Sequence, residues 1–323
     1  MIYLATNFDD GKFLLRGLAL YKSLQDTSGD FILYNLCMDD EIYNNLSKLN
    51  LPKLKLIRIS DIEDVDLLRV KKERNIREYS TTCKSAFVLY LIETYKYINT
   101  IAWVDADLYF FQSIQEAFDE MGDSSVALTE HNFSPNLKGQ EITNCLYNTG
   151  FIIFRNDMIG IKVLRWWKDR CIEWCFDRYE NGKFGEQLYL QDWPKRFENV
   201  RVIERLGINL AYWNIERFRV NKKNSEIVIT DKESGNKNGL VFYHYSGTEI
   251  YKVFGRAKIV YKRRHIHPLV KKLIYNPYSK GLTWALKIAE TIPHGDLKIK
   301  SGIFKYTFMT LYKKLLSYKH YFD

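Results

Sequence analysis

The chain has 323 residues, 46% of them apolar and 15% aromatic, which excludes a disordered protein and provides ample core for one large domain or two ordinary ones. Its formal net charge of +9 is uneven, because residues 252–323 carry 16 Lys and Arg against three acids (+13) while the preceding 251 carry 32 against 36 (−4). No apolar run approaches the roughly 18 residues of a spanning helix, the first residues do not read as a signal peptide, and the five cysteines show no CxxC or zinc-type spacing, so the cytoplasm is the expected compartment.

Residues 2–5 predict a first strand, and residues 6–11 a loop rich in turn formers. A helix follows with Leu14, Leu15, Leu18, Leu20 and Leu24 on roughly one side, then strands over 31–36 and 54–59. Residues 71–84 are polar and irregular, with Arg77 and Lys84 as candidate phosphate contacts, and residues 85–92 are apolar on every side, which predicts a buried helix. Strands alternating with helical patterns imply an α/β protein with a mostly parallel, Rossmann-like sheet and flanking helices. Ligands then sit beyond the carboxyl ends of the strands.

The most informative stretch is IAWVDADLYFF, residues 101–111. Residues 101–104 predict a buried strand, and Asp105 and Asp107 follow where it should end. Carboxylates there call for a cation or dense hydrogen bonding. An Asp-x-Asp turn lets both side chains reach one ion, and hard oxygen ligands suit Mg²⁺ or Mn²⁺. The plainer alternative has one Asp capping a helix that starts near Ser113 while the other is solvated.

Downstream, residues 125–129 predict a strand ending in Glu130-His131, and Asn148-Thr149-Gly150 a turn leading into a buried strand. Ile161, Leu164, Trp167, Cys171, Trp174 and Cys175 recur at helical spacing over 157–179. A polar stretch at 181–187 leads to a short helix over 188–193, residues 225–238 predict an exposed hairpin or loop, and residues 240–245 a last strand running into His244-Tyr245-Ser246-Gly247. Composition shifts near residue 250, which divides the chain into a main domain, 1–250, and a basic, aromatic, helical C-terminal extension, 251–323. In residues 303–322, Phe304, Phe308, Leu311, Tyr312, Leu315 and Leu316 share one side of a helix rimmed by Lys305, Lys313, Lys314 and Lys319. Such a helix either lies on an anionic membrane surface, making the protein peripheral on the inner face of the plasma membrane, or packs on the domain. No recognised module supports a nucleic-acid partner.

Taken in order, YLATNFDD, VDAD, YNTGFIIF, the acid-Gln pair EQ, AYWN and HYSG resemble the GT-A glycosyltransferases, and in particular family 8, the glycogenin-like and bacterial lipopolysaccharide type, over residues 1–250. The resemblance implies a GT-A fold and transfer of a hexosyl or N-acetylhexosaminyl group from a nucleotide-diphosphate sugar, expected to be a UDP-sugar, to a glycan acceptor. With the basic tail it points to a lipid-linked acceptor of surface-polysaccharide assembly. It assigns Asp105, Asp107 and His244 to the metal, with Mn²⁺ favoured over Mg²⁺ by the imidazole. It places Thr6, Asn7 and Asp9 at the base and ribose, Asn148 and Gly150 at the donor-sugar and acceptor pocket, and Gly247 in the terminal HxxG. Lys84 or Lys252 is left to meet the diphosphate, because the family's Lys-Pro-Trp after HxxG is absent here. If stereochemistry is retained, Gln187 or Glu186 lies beneath the anomeric carbon; an inverting enzyme would need Glu130 or Asp192 as base. A metal-dependent phosphohydrolase and a non-catalytic nucleotide-sugar binding protein are the readings from other classes.

Overall fold

The computed structural model describes residues 1–8, 11–260, 266–292, 300–301, 307 and 309. The first half comprises β1 (Ile2–Phe8), α1 (Gly11–Thr27), β2 (Phe31–Cys37), α2 (Asp40–Ser47), β3 (Leu54–Arg58), α3 (Val65–Lys71), α4 (Ile76–Thr94), β4 (Thr100–Val104), β5 (Leu108–Phe110), α5 (Gln115–Met121), β6 (Val126–Glu130), α6 (Glu141–Asn144) and β7 (Tyr147–Arg155). There follow α7 (Met158–Glu173), the hairpin β8 (Tyr179–Glu180) and β9 (Lys183–Phe184), α8 (Trp193–Arg196), β10 (Val200–Ile203) and β11 (Leu210–Ala211). The meander β12 (Phe218–Lys223), β13 (Glu226–Asp231) and β14 (Lys237–Gly239) leads to β15 (Phe242–His244), the hairpin β16 (Glu249–Val253) and β17 (Arg256–Val260), then α9 (Pro268–Val270) and, after a π-helical turn, α10 (Asn276–Ala289).

Seven strands form the main sheet in the order β10-β6-β7-β4-β1-β2-β3, with β7 antiparallel to both neighbours and every other pairing parallel. Both faces are covered, so the central strands are apolar without alternation. Ile101 and Trp103 join a core with α4 and α7, whereas Ala102 and Val104, one residue out of phase, join the core beneath α1 and α5. A second sheet, β11-β15-β5, abuts the carboxyl edge of the first, and the Asp105-Ala106-Asp107 turn is the link between β4 and β5.

Several local expectations change. Residues 6–8 belong to β1 and not to a loop, and residues 148–150 lie inside β7, beside a register shift between Leu128 and Thr129. Gly and Asn mark a bulge there, a site where strands bend beside ligands. The helix expected from residue 85 begins at Ile76. Asn75 accepts from the Glu78 amide at 3.0 Å and Glu78 accepts from the Asn75 amide at 3.1 Å, a reciprocal cap that fixes the start. The exposed hairpin is a three-stranded meander, and β15 is followed by β16 and β17. Within the residues expected to form the basic extension, α10 packs against α1, and Leu282, Leu286 and Ala289 share a core with Leu14, Leu15 and Leu18. The amphipathic tail at 303–322 lies outside the described residues except for 307 and 309.

Helix α3 is tied to α7 through its N-cap. The Asp64 carboxylate accepts from the amides of Asp66 and Leu67 at 3.1 and 2.9 Å and from Lys168 Nζ at 2.6 Å. Burial would raise its pKa, but Lys168 and the amides outweigh burial and hold it below the ordinary value. A carboxyl depressed in the folded state stabilises it above the unfolded pKa of about 3.9, and that contribution is lost as pH falls through the folded value. Asp64→Asn keeps a capping side chain, so it should melt below the wild type near neutral pH, and the two melting temperatures should converge below about pH 3.9, which a pH series of melting curves checks.

Candidate functional site

The carboxyl ends of β1 and β4, the start of β7 and the Glu186-Gln187 segment open onto one cavity of about 580 Å³. Register delivers the metal-type donors. β15 lies between β11 and β5, pairing His244 with Leu108 on one side and Ala211 on the other, and the Tyr245 amide donates to the Asp107 carbonyl at 2.9 Å. His244 Nε2 is therefore 3.0 Å from Asp107 Oδ1 and 3.9 Å from Asp105 Oδ2. One ligand atom from each of the three residues lies within 4.8 Å of the others. Burial would raise Asp107, but His244 beside it wins and holds the carboxyl at about 2.

Lys84 organises the other side. Its ammonium is 2.8 Å from Asp105 Oδ1 and 2.8 Å from Glu186 Oε1, all three side chains being largely buried. Trp103 Nε1 donates to the same Asp105 oxygen at 2.7 Å, and Thr149 Oγ1 donates to Glu186 at 2.9 Å. Burial alone would discharge Lys84, yet the two carboxylates overcome it and push its pKa above the ordinary lysine value. Glu186 shows the reverse balance, for burial disfavours its charge and Lys84 restores it, with a net downward shift. With the three carboxylates ionised, the group Lys84, Asp105, Asp107 and Glu186 carries a formal charge of −2 at the cavity floor. That charge, two oxygen donors and one nitrogen donor fit a divalent cation such as Mn²⁺ or Mg²⁺ held by Asp105, Asp107 and His244.

Close packing sets these side chains. A Cβ on Gly150 would stand 2.6 Å from His244 Cε1 and 2.7 Å from Asn148 Oδ1, so only glycine lets β7 pass beneath the imidazole. Asn148 Nδ2 donates to His131 Nε2 at 3.0 Å, and Asn148 Oδ1 accepts from the Gly150 amide at 2.9 Å. His131 stacks on Phe133 at 4.8 Å and meets the edge of Trp213 at 5.2 Å, and Trp213 in turn meets His244 at 5.2 Å. Burial, with His244 nearby, pushes His131 down to about 3, so its ring is neutral. Trp167 Nε1 donates to the Glu186 carbonyl at 3.0 Å, which fixes the segment that carries Gln187. The Gln187 carboxamide donates to the Asn144 carbonyl, while its oxygen accepts from the Thr149 amide at 3.4 Å.

Of the residues singled out in the sequence, Asn7, Arg77, Lys84, Asp105, Asp107, Asn148, Glu186, Gln187, His244 and Gly247 line the cavity, and Gly150 lies under His244. Thr6 is buried within β1 and Glu130 ends β6; neither lines the cavity. Lys252 is on β16, paired with Glu290, and Asp192 is paired with Arg196. Asp9 lies outside the described residues. Sequence reasoning missed Arg16, Ser80, His131, Phe133, Thr149 and Trp213 as cavity residues. His131, directly after a strand, Thr149, in the YNTG motif, and Trp213, in the AYWN motif, carried a usable signal.

Lys84→Met should destabilise the chain by about 3 kcal/mol, because two buried carboxylates lose their cation, and denaturant unfolding measures this. Gly150→Ala should leave the fold intact within about 2 kcal/mol but displace His244, which would appear as at least a tenfold loss of Mn²⁺ affinity in a metal titration.

No family model matches the chain. The galactosyltransferase LgtC, solved in complex with donor and acceptor sugar analogs, superposes with a TM-score of 0.52 over 91% of this chain and 97% of its own at 11% identity, a likeness that places the α/β architecture in the GT-A fold. In sequence the chain is similar to YfnD of Bacillus subtilis (strain 168), 29% identical over 279 residues, which are 85% of this chain and 88% of that protein. It is 32% identical over 285 residues to YfnF of the same organism, described like YfnD as uncharacterized, and the match covers 86% of this chain and 91% of the relative. At that identity and coverage, the chain belongs to the family of YfnF.

Proposed function

We propose that the chain is a metal-dependent glycosyltransferase of the family 8 type, moving a sugar from a nucleotide-diphosphate sugar, a UDP-sugar by the sequence resemblance, to a glycan acceptor with retention. One observation carries this reading. Asp105, Asp107 and His244 converge within 4.8 Å in the same cavity as Gln187 and an aromatic wall of Phe133, Tyr212 and Trp213. A divalent cation bound there supplies positive charge to the departing diphosphate without needing a proton.

The protein's own groups divide the remaining work. Glu186 is held ionised by Lys84 and Thr149, which makes it a poor proton acceptor and a fixed negative charge near the sugar. Gln187 presents a carboxamide whose position is set by Asn144 and Thr149, suited to an electron-poor anomeric carbon. The aromatic wall suits the apolar faces of sugar rings and excludes water. Inversion would need a carboxylate free to take the acceptor's proton. Glu130 is outside the cavity and Asp192 is bound by Arg196, which supports retention. A lipid-linked surface-polysaccharide acceptor rests on the basic tail of the sequence. No helix among the described residues is long and apolar enough to cross a membrane.

The test is melting with UDP, GDP, CDP and CMP, each with and without Mn²⁺, followed by product analysis with sugars of the stabilising nucleotide. One diphosphate should stabilise by about 2.7 kcal/mol at a hundredfold excess over its dissociation constant, only with Mn²⁺, and Asp107→Ala should abolish the effect. Turnover should release a nucleoside diphosphate; release of a monophosphate or inorganic phosphate would replace this reading with a phosphohydrolase.

A further inference from the structure

A bound nucleoside diphosphate needs cations whose charge is not already cancelled. Apart from histidines, the cationic side chains lining the cavity among the described residues are Arg16, Arg77 and Lys84. Lys84 is committed to Asp105 and Glu186, each at 2.8 Å. Arg77 is a rim residue whose side chain is 72% exposed and paired with Asp177 at 2.7 Å. Lys252, which the sequence offered for this task, faces Glu290, the residue at the C-terminal cap of α10.

Arg16 is different. Among the described residues no carboxylate forms an ion pair with it, its Nη2 donates to the Thr248 carbonyl, and its Nε is buried without a hydrogen-bond partner. The guanidinium also covers the Phe13 ring at 4.8 Å. Thr248 directly follows Ser246 and Gly247, both on the cavity wall, and Tyr245 is bonded to the Asp107 carbonyl, so the arginine is fastened to the loop that carries His244. Its aim is set by packing. A Cβ on Gly17 would fall 1.9 Å from the Phe8 ring, so α1 sits directly against β1, and α10 packs on α1 in the same core.

We propose that Arg16 is the diphosphate-binding residue of this chain, gripping the phosphate oxygens of the nucleotide sugar and holding the nucleoside diphosphate as it leaves. A planar fork with one arm fixed on a backbone carbonyl is pre-organised for phosphate in a way that a flexible lysine is not. Arg16 therefore sets the preference for a diphosphate over a monophosphate. The assignment rests on the glycosyltransferase reading.

The experiment is calorimetric binding to the full chain in Mn²⁺, using UDP against UMP, GDP against GMP and CDP against CMP, for wild type, Arg16→Gln, Arg16→Lys and Lys252→Gln. Arg16→Gln should weaken the preferred diphosphate about 10- to 100-fold and leave its monophosphate nearly unchanged. Arg16→Lys should recover part of the loss, and Lys252→Gln should bind as the wild type does. Undiminished diphosphate binding by Arg16→Gln would overturn the assignment and leave the glycosyltransferase reading standing. Failure of the wild type to bind any diphosphate would remove both. Should Arg16→Gln not fold, Arg16→Lys decides the matter, and an equal loss for diphosphate and monophosphate would refute the role.

Discussion

A lysine ammonium buried in a protein must find negative charge, and Lys84 finds two carboxylates. The three groups come from α4, the end of β4 and the segment after β9, elements that meet only when the main sheet is complete. The requirement accounts for the character of α4. Its polar residues Ser80, Thr82, Lys84 and Ser85 are buried together with Phe87, Val88 and Leu91, so the middle of the helix is enclosed and carries polar side chains into the interior. It also holds Asp105 at a fixed distance from Asp107. Without that tether, two adjacent carboxylates at a strand end would turn to water.

The second constraint is the junction of two sheets. β4 lies in the main sheet, the Asp105-Ala106-Asp107 turn crosses over, and β5 belongs to the second sheet, whose middle strand carries His244. The donor set is drawn from both sides of this junction, and its backbone is tied on each side, the Asp105 amide donating to the Gly150 carbonyl and the Tyr245 amide to the Asp107 carbonyl, each at 2.9 Å. The Leu128/Thr129 shift does similar work on the opposite wall, turning Asn148 to His131 and Thr149 to Glu186.

Much of this was legible in the sequence, for identifiable reasons. A short apolar strand followed by paired aspartates is a local pattern, and so are a histidine ending a strand and an acid-Gln pair after glycines. Misreadings arose where local chemistry and tertiary context disagree. Asn148-Thr149-Gly150 has turn composition, but its glycine answers the pressure of His244, which is distant in sequence. Thr6 carries a polar side chain yet points into the sheet, because alternation along β1 sends Asn7 and not Thr6 to the cavity. Lys252 follows HxxG closely, but β16 presents it to Glu290. Arg16 was hidden for the opposite reason. It sits on a leucine-rich helix where periodicity sorts residues into core and surface, and no pattern marks the surface position that a later loop turns into part of a cavity.

Glu186 and Gln187 show how neighbours in sequence divide structural and chemical work. The Glu186 carbonyl is anchored by Trp167, and its carboxylate is directed to Lys84 and Thr149. Removing its charge would leave part of a buried ammonium uncompensated, so its ionisation is tied to folding. Gln187 is neutral, makes no ion pair, and is oriented by the Asn144 carbonyl and the Thr149 amide. A charged side chain in its place would add a third unit of negative charge to a floor that already carries two. Under the proposed transfer, the neutral residue is the one suited to face a sugar carbon developing positive charge without drawing in a second cation of its own, with its charged neighbour behind it.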